Sequence, residues 1–385
     1  MGDDQEAEKQ MMEYYFDVKS LSVGYDGNPL IKDINLRLPK GHIMTLIGPN
    51  GAGKSTILKT ITRQIPELEG FVYLDGKKSS SIDMNGFSRQ VSVMLTQRMT
   101  TDMMTCREVV ETGRYPYTGR LGILSEGDHR EVRKAMTITN TLDLADRDFM
   151  RISDGQKQRI MFARAIAQEP ELLVLDEPTS FLDVKYKLEL LNILRLLARE
   201  KNITIIMSLH ELDLAERISD EIVCVKGDYI TDWGTAWEIF RKEKITDLYD
   251  LDTGSYNPIF GSVELKKNAG PPQVFVIAGG GKGVPVFREL QKKGVPFAAG
   301  VLHKGDVDEL AGRDLAASIV TERPFCSIGD TSFSQAVKIM RTCSSFVNCL
   351  DEYGEINSRN RDLAELAKKE GIEEIDPADI NKKFL

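Results

Sequence analysis

The pattern of apolar and polar positions divides the first two thirds of the chain into three kinds of segment. Residues 31–38 alternate apolar and polar side chains, as a strand with one buried face does. Nearly continuous apolar runs at residues 42–47, 171–175 and 203–209 are typical of strands buried on both faces of a parallel sheet. Helical patterns dominate residues 98–168. We therefore predict an α/β fold with an antiparallel opening, a parallel core sheet and a helical subdomain.

A change of pattern separates a second domain from the first. Glycine and proline residues recur over residues 253–272, which we interpret as a linker following a domain at residues 13–252. Beyond it, short apolar runs alternate with helical patterns, which predicts a small Rossmann-like α/β domain over residues 273–385. Its glycine turn at residues 279–283 is either a small-molecule site at a strand end or a tight turn in an interaction domain.

Composition limits the functional classes. The net charge of −9 over 385 residues argues against a nucleic-acid partner, whose binding surface is usually basic. Five scattered cysteines without a CxxC pair fit reduced thiols. No apolar run reaches membrane-spanning length, and the acidic residues 1–12 read as a disordered tail rather than a signal peptide. We expect a soluble, intracellular protein that meets a membrane only through a partner.

One loop carries the strongest chemical signal. Residues 48–56 read Gly-Pro-Asn-Gly-Ala-Gly-Lys-Ser-Thr and lie between an apolar strand and a helical pattern. Glycines allow backbone N–H groups to converge on an anion, and the helix N-terminus adds unpaired donors. In this phosphate-binding loop, or P-loop, Lys54 is expected to reach the β- and γ-phosphates and the Ser55 hydroxyl to ligate Mg²⁺. The sequence therefore predicts a nucleotide-binding protein.

Carboxylates and a histidine follow the buried strands. Asp176 and Glu177 come directly after the run at residues 171–175, where buried charge is costly unless it serves a cation or a proton. In a P-loop protein, we expect Asp176 to hold Mg²⁺ and Glu177 to orient or deprotonate the attacking water. His210 follows the run at residues 203–209, where it can contact the γ-phosphate or that water.

Weaker signals leave alternatives open. Tyr25 lies just before the P-loop strand and could stack on a base or pack on a sheet. Gln97 ends another predicted strand, at the expected nucleotide edge. Ser153 is a good N-cap for a long helix, whose N-terminus is either a second anion site or simply capped. Residues 112–120 mix Arg and Tyr, which is typical of a protein interface or of an exposed loop.

Taken together, these motifs resemble the ATPase domain of ABC transporters over about residues 13–250. The resemblance implies ATP and Mg²⁺ as cofactors and ATP hydrolysis in a head-to-tail dimer of two copies. It also implies a transmembrane permease as partner, at the cytoplasmic face of the cell membrane. It rests on Tyr25, Gln97, His210 and residues 48–56, 152–156, 172–177 and 180–183.

The resemblance also implies a role for each site residue. Tyr25 stacks the adenine, Gln97 senses the metal and the attacking water, and Asp176 supports Mg²⁺. Glu177 is the catalytic base and His210 contacts the γ-phosphate. The nucleotide is held by Gly48, Asn50, Gly51, Gly53, Lys54, Ser55 and Thr56. The signature motif and its neighbour, which face the ATP of the other copy, are Ser153, Gly155, Gln156 and Asp183.

The signature departs from the usual pattern, because Asp154 replaces the first of two glycines. Residues 152–159, with residues 113–116, resemble the importer branch for iron-siderophores, haem and vitamin B12, whose members carry Asp there. This implies an ATPase subunit that powers uptake of such a substrate. The alternatives are a soluble, non-transport ABC ATPase and a transporter of another substrate class. The second domain lies outside the resemblance and could be a regulatory binding module or a dimerisation surface.

Overall fold

A computed structural model describes residues 14–95, 103–119 and 122–384. The chain forms two compact units, Met1–Asp250 and Leu251–Leu385. Within the described ranges, no helix is long and apolar enough to cross a membrane. The tail predicted at residues 1–12 and the candidate Gln97 lie outside the described residues.

The first unit opens with an antiparallel sheet. Its strands are β1 (Phe16–Tyr25), β2 (Asn28–Leu38), β4 (Glu69–Leu74) and β5 (Lys77–Lys78), in the order β2-β1-β4-β5. Along β2 every second residue from Ile34 to Leu38 is buried, so the alternation in the sequence matches the face that packs on the core.

A six-stranded sheet forms the centre of the first unit. Its strands are β3 (Ile43–Ile47), β6 (Val91–Met94), β7 (Leu172–Asp176), β8 (Thr204–Ser208), β9 (Glu221–Lys226) and β10 (Tyr229–Thr235). The order is β10-β9-β3-β8-β7-β6, and every pairing is parallel except that of β10 with β9. All residues of β3, β7 and β8 are buried, as continuous apolar runs predict. Their carboxyl ends share one edge, where the following loops meet.

Helices cover this sheet and build the helical subdomain. They are α1 (Lys54–Ile61), α2 (Met84–Gln90), α3 (Cys106–Glu111), α4 (Glu126–Ile138), α5 (Asp154–Ala167), α6 (Val184–Lys201), α7 (Leu212–Ile218), α8 (Ala236–Ile239) and α9 (Lys242–Leu248). The subdomain consists of α3, α4 and α5 with the 3₁₀ turns between them. Capping boxes begin all three of these helices, because Ser or Thr and an acidic or amide residue three positions later satisfy the first N–H groups.

Arg114 lies inside the helical subdomain rather than on its surface. Its guanidinium donates to Asp128 Oδ1 at 2.9 Å, the Ala167 carbonyl at 2.7 Å and Glu169 Oε2 at 3.0 Å. A hydrogen bond from the Ser125 side chain, aided by Arg114, lowers the pKa of Asp128 to about 2. Both alternatives for residues 112–120, an interface and an exposed loop, place Arg114 at the surface. For this side chain the prediction is wrong, because its three hydrogen-bond partners hold it in the interior.

The second unit is a Rossmann-like α/β domain preceded by a hairpin. Its parallel sheet contains β13 (Val274–Ile277), β14 (Phe297–His303), β15 (Ser318–Glu322), β16 (Ser345–Asn348) and β17 (Glu373–Glu374), in the order β15-β14-β13-β16-β17. Its helices are α10 (Val284–Lys292), α11 (Val307–Leu315), α12 (Asp330–Met340), α13 (Arg359–Lys369) and α14 (Ile380–Lys383). Separate core clusters lie on the two faces of this sheet, so helices cover both faces, which confirms the predicted fold class.

Where the sequence predicts a linker, the chain forms a hairpin of β11 (Gly254–Asn257) and β12 (Ser262–Leu265). Glu264 pairs with Arg288 of α10, and Asn257 Nδ2 donates to Asp314 of α11 at 3.0 Å, so the hairpin packs on two helices of its own unit. Glycine and proline clusters mark hairpin turns as well as linkers, which explains the difference.

The glycine turn of the second unit is filled by its own carboxylates. Asp308 Oδ1 accepts the N–H groups of Gly283 and Val284, both at 2.9 Å, and Asp306 Oδ2 accepts that of Gly280 at 2.8 Å. Burial raises the pKa of Asp308, while these backbone hydrogen bonds act in the opposite direction. Three N–H groups that could receive a phosphate thus already have carboxylate partners, which favours the tight-turn alternative.

The buried pair generates a stability prediction. Arg114→Ala leaves the Asp128 carboxylate buried without its guanidinium, and we expect the free energy of unfolding to fall by about 3 kcal/mol. Urea unfolding followed by tryptophan fluorescence measures this free energy. The signal reports on the first unit, because both tryptophans, Trp233 and Trp237, belong to it. Arg107→Ala, which removes an ion pair to the exposed Asp146, is the control and should change stability little. Equal losses in the two variants would contradict the structural role of Arg114.

Candidate active site

The P-loop connects β3 to α1 through a closely packed backbone turn. Gly48 has a φ of 147°, and a Cβ there would lie 2.1 Å from the Val225 carbonyl oxygen. Gly53, the N-cap of α1, has a φ of 95°, and a Cβ would approach Ile31 to 2.7 Å. Both positions therefore require glycine. Asn50 and Gly51 are exposed at the tip of the loop.

Lys54 is held inside this loop. Its ammonium donates to the carbonyl oxygens of Gly48 at 2.7 Å and Pro49 at 2.9 Å, and the residue is buried. Burial lowers the pKa of Lys54, while the charges of Glu177 and Asp176 act to raise it. The loop thus places a cation beside the carboxylates at the ends of the neighbouring strands.

Asp176 links the P-loop helix to the central strands. Its Oδ1 accepts a hydrogen bond from the Ser55 hydroxyl at 3.1 Å and another from Ser208 at 2.7 Å. The carboxylate is almost wholly buried. Parallel pairing of β7 with β8 sets Asp176 directly opposite Ser208, so the sheet register determines this contact. Ser208 was not among the predicted residues, although a polar side chain ending an apolar strand is a recognisable signal.

Glu177 and His210 form the second pair at this edge. Glu177 Oε1 lies 2.5 Å from His210 Nε2, and its Oε2 accepts from the Ser180 hydroxyl at 3.3 Å. Both side chains remain about a third exposed, 29% for Glu177 and 37% for His210, so water can reach them. The backbone of Glu177 has a φ of 50°, and its N–H donates to Ser208 Oγ at 3.0 Å. The turn holds a carboxylate toward solvent next to an imidazole.

The strained turn at Glu177 is braced by a residue that the sequence did not indicate. Gln158 Nε2, from α5, donates to the carbonyl oxygens of Glu177 at 3.1 Å and Pro178 at 2.8 Å. Gln158 follows the signature residues by less than one helical turn, so α5 connects the signature to the carboxylate turn. Only the fold reveals this contact, because the two segments are about 20 positions apart.

Tyr25 stands beside the P-loop with its ring accessible. It ends β1, is 47% exposed, and its hydroxyl accepts a hydrogen bond from Thr56 Oγ1 at 3.4 Å. Stacking on a base and packing on the sheet surface therefore both stay open for this residue.

The signature residues act as caps in the single chain. Gln156 N donates to Ser153 Oγ at 3.3 Å and Ser153 N to Gln156 Oε1 at 3.0 Å, which closes the capping box of α5. A Cβ at Gly155 would lie 2.9 Å from the Phe181 carbonyl oxygen. Asp183 caps α6 by accepting from Tyr186 N at 3.0 Å. In the described residues, no hydrogen bond or ion pair joins Ser153, Gly155 or Asp183 to the P-loop.

Tyr249 also contacts the P-loop, and no sequence motif pointed to it. Gly48 N donates to the Tyr249 hydroxyl oxygen at 3.1 Å. Burial raises the pKa of Tyr249 to about 12. The two residues are 201 positions apart, so periodicity and spacing could not have found the contact.

Comparison with protein families gives a match in each of the two units. The family model described as ABC transporter matches residues 31–180, and a model described as MJ0874 family matches residues 297–375 in the second unit. A solved ATP-binding subunit of an ABC transporter superposes with a TM-score of 0.53 at 26% identity, covering 58% of this chain and 91% of that one.

Three curated relatives extend the comparison. An iron(3+)-hydroxamate import ATP-binding protein of Bacillus subtilis is 36% identical over 61% of this chain and 87% of its own length. A cobalamin import ATP-binding protein of Halobacterium salinarum is 31% identical over 84% of this chain and 82% of its own. That alignment spans 329 residues, more than the first unit contains, so it reaches into the second.

The third relative is an ABC transporter ATP-binding protein of Methanocaldococcus jannaschii. It is 42% identical over 285 residues, which cover 74% of this chain and 98% of the relative. The resemblance read from the motifs is thereby confirmed, and the chain belongs to the ATP-binding proteins of ABC transporters, a family of ATPases.

Proposed function

We propose that this chain powers the uptake of an iron-siderophore, haem or cobalamin-type substrate through a separate membrane permease. The observation that carries the ATPase half of the proposal is the Glu177–His210 pair beside the Ser55–Asp176 pair and Lys54. The names of the hydroxamate and cobalamin relatives support the substrate class. The chain would work at the cytoplasmic face of the membrane, and only the permease would span it.

ATP would occupy the P-loop edge of the central sheet. The loop N–H groups and Lys54 would hold the phosphates, and the exposed ring of Tyr25 would stack on the adenine. Mg²⁺ prefers oxygen ligands, and the Ser55 hydroxyl and Asp176 Oδ1 lie 3.1 Å apart, close enough to serve one ion. When bound, that ion neutralises phosphate charge. By the resemblance alone, Gln97 would sense the metal and the attacking water.

Glu177 would act as the general base for hydrolysis. Its partly exposed carboxylate can accept a proton from a water molecule, and His210 would contact the γ-phosphate and hold the carboxylate by their 2.5 Å hydrogen bond. Gln158 keeps the backbone of this turn in its unusual conformation, so it would position the base without touching the substrate.

Two copies would complete two sites in a head-to-tail dimer. Ser153 accepts the Gln156 N–H, but its own O–H proton remains available for a phosphate oxygen, and α5 adds its positive N-terminal end. Gly155 and Asp183 would line the same contact. Asp154 would not repel the phosphate strongly, since its side chain is 59% exposed and Lys157 Nζ lies 4.0 Å away.

The permease would bind a groove between the central sheet and the helical subdomain. The groove is lined by Val93, Leu95, Tyr115, Pro116, Met161 and Arg164. Tyr115 is 57% exposed, and burial lowers the pKa of Arg164, whose Nε donates to Thr112 Oγ1 at 2.7 Å. Exposed aromatic side chains in a groove are typical of binding sites for protein segments.

Replacing the proposed base should separate binding from turnover. In Glu177→Gln, the side chain keeps its size but cannot accept the proton, so kcat for ATP should fall at least about 100-fold while ATP still binds. Phosphate release and calorimetric titration with ATP and Mg²⁺ measure the two effects. Glu171→Gln, at the opposite end of β7, is the matched control and should retain its rate. Near-normal turnover in Glu177→Gln would remove this residue from the proposed role.

Gln158 should matter through turnover rather than affinity. Gln158→Glu replaces the amide donor with a carboxylate that faces two carbonyl oxygens, and we expect kcat to fall roughly tenfold with an unchanged affinity for ATP. Gln291→Glu is the control, because Gln291 also donates to a backbone carbonyl, that of Leu265, but in the second unit. Equal kcat values in the two variants would show that the hydrogen bonds from Gln158 to the Glu177 turn are dispensable for turnover.

The permease groove predicts a selective loss of partner binding. Tyr115→Glu should reduce capture of a multi-spanning membrane protein from detergent-solubilised native membranes roughly tenfold, without changing basal ATPase activity. Tyr229→Glu is the matched control, since Tyr229 is 56% exposed outside the groove. Mass spectrometry identifies the captured protein, and uptake of cobalamin, ferric hydroxamate and haem into vesicles tests the substrate class. Capture of ribosomal proteins by both variants would contradict the transport role.

A further inference from the structure

The P-loop is anchored by a tyrosine from the far end of the first unit. Tyr249 directly follows α9, and its hydroxyl oxygen accepts the Gly48 N–H at 3.1 Å. Gly48 is the first residue of the P-loop and directly follows β3. The hydrolysis mechanism proposed above does not use Tyr249, so its contact with this loop needs its own explanation.

Two features of Gly48 bear on the conformation of the P-loop. A neighbouring carbonyl packs closely against its Cα, and its backbone dihedrals have the wide freedom of glycine. The Val225 carbonyl leaves no room for a Cβ, and the φ of 147° belongs to a region that favours glycine. Glycine loses more conformational freedom on folding than any other residue, so a loop that begins with it needs an external contact to stay in one conformation. The Tyr249 hydroxyl provides that contact at the loop entrance.

Tyr249 can serve as an anchor because its own segment is fixed. Lys226, the last residue of β9, donates to the Asp247 carbonyl and to Asp250 Oδ1, the latter at 2.6 Å. Ile245 and Leu248 of α9 are buried. Burial raises the pKa of Tyr249 to about 12, further above the physiological range. The same strand, β9, thus supports Gly48 through Val225 and the tyrosine segment through Lys226.

We infer that Tyr249 is a positioning residue that holds Gly48 so that the P-loop is prearranged for the phosphates of ATP. A prearranged loop binds more tightly, because less conformational entropy is lost when the ligand orders it. The inference rests on the proposed binding of ATP at residues 48–56. It makes Tyr249 a determinant of nucleotide affinity rather than of the chemical step.

The experiment compares two Tyr→Phe variants of the full chain. Tyr249→Phe removes the acceptor for Gly48 N, and the affinity for ATP should fall roughly fivefold, the effect of one ordinary hydrogen bond, with kcat within about twofold of the parent. Tyr117→Phe is the matched control, because the Tyr117 hydroxyl donates to the Gln168 carbonyl at 2.9 Å, away from the P-loop. Calorimetry gives the dissociation constant, and steady-state kinetics separate KM from kcat.

Hydrogen exchange without nucleotide tests the contact directly. Peptides covering residues 43–56 should exchange faster in Tyr249→Phe than in the parent chain and in Tyr117→Phe. Tyr249→Phe could instead lower the melting temperature while leaving both the hydrogen exchange of residues 43–56 and the affinity for ATP unchanged. That result would show a general structural role and overturn the inference. Absence of ATP binding in the parent chain would instead contradict the proposed function, so the two failures are distinguishable.

Discussion

Parallel pairing of β3, β8 and β7 is the constraint on which the active site depends. The register sets Asp176 opposite Ser208 and carries the P-loop to the same edge, so groups more than 100 positions apart meet within hydrogen-bond distance. The strands are entirely buried, which leaves their carboxyl ends as the place where polar chemistry meets solvent. Hydrophobic burial therefore sets the geometry of a highly charged site.

Charge and backbone conformation are balanced within that site. Lys54 is buried but faces two carboxylates. The strained turn at Glu177 is retained by the hydrogen bond that its N–H donates to Ser208 and by the one that its carbonyl accepts from Gln158. Each of these contacts comes from a different element of the first unit. The arrangement holds a cation, a buried carboxylate and an exposed carboxylate–imidazole pair in fixed relative positions, which is what phosphoryl transfer to water requires.

Local patterns predicted the elements and the residues at strand ends, because burial and strand direction follow from consecutive residues. Asp176, Glu177 and His210 are of this kind, and Lys54 was predicted from the glycine-rich loop that precedes it. Tyr249 and Gln158 could not be predicted, since their contacts depend on how distant segments pack. Residues 253–272 show a further limit, because the same glycine and proline signals mark a linker or a hairpin.

The two glycine-rich turns of this chain differ in which negatively charged group their N–H donors can bind. In the second unit the chain supplies it, as Asp308 and Asp306 occupy the N–H groups of the turn. In the first unit the loop at residues 48–56 is paired with a lysine instead. Of these two turns, only the first is left to bind a dissolved phosphate compound. With ATP bound as proposed, we expect one nucleotide per chain, despite two strand–glycine–helix units.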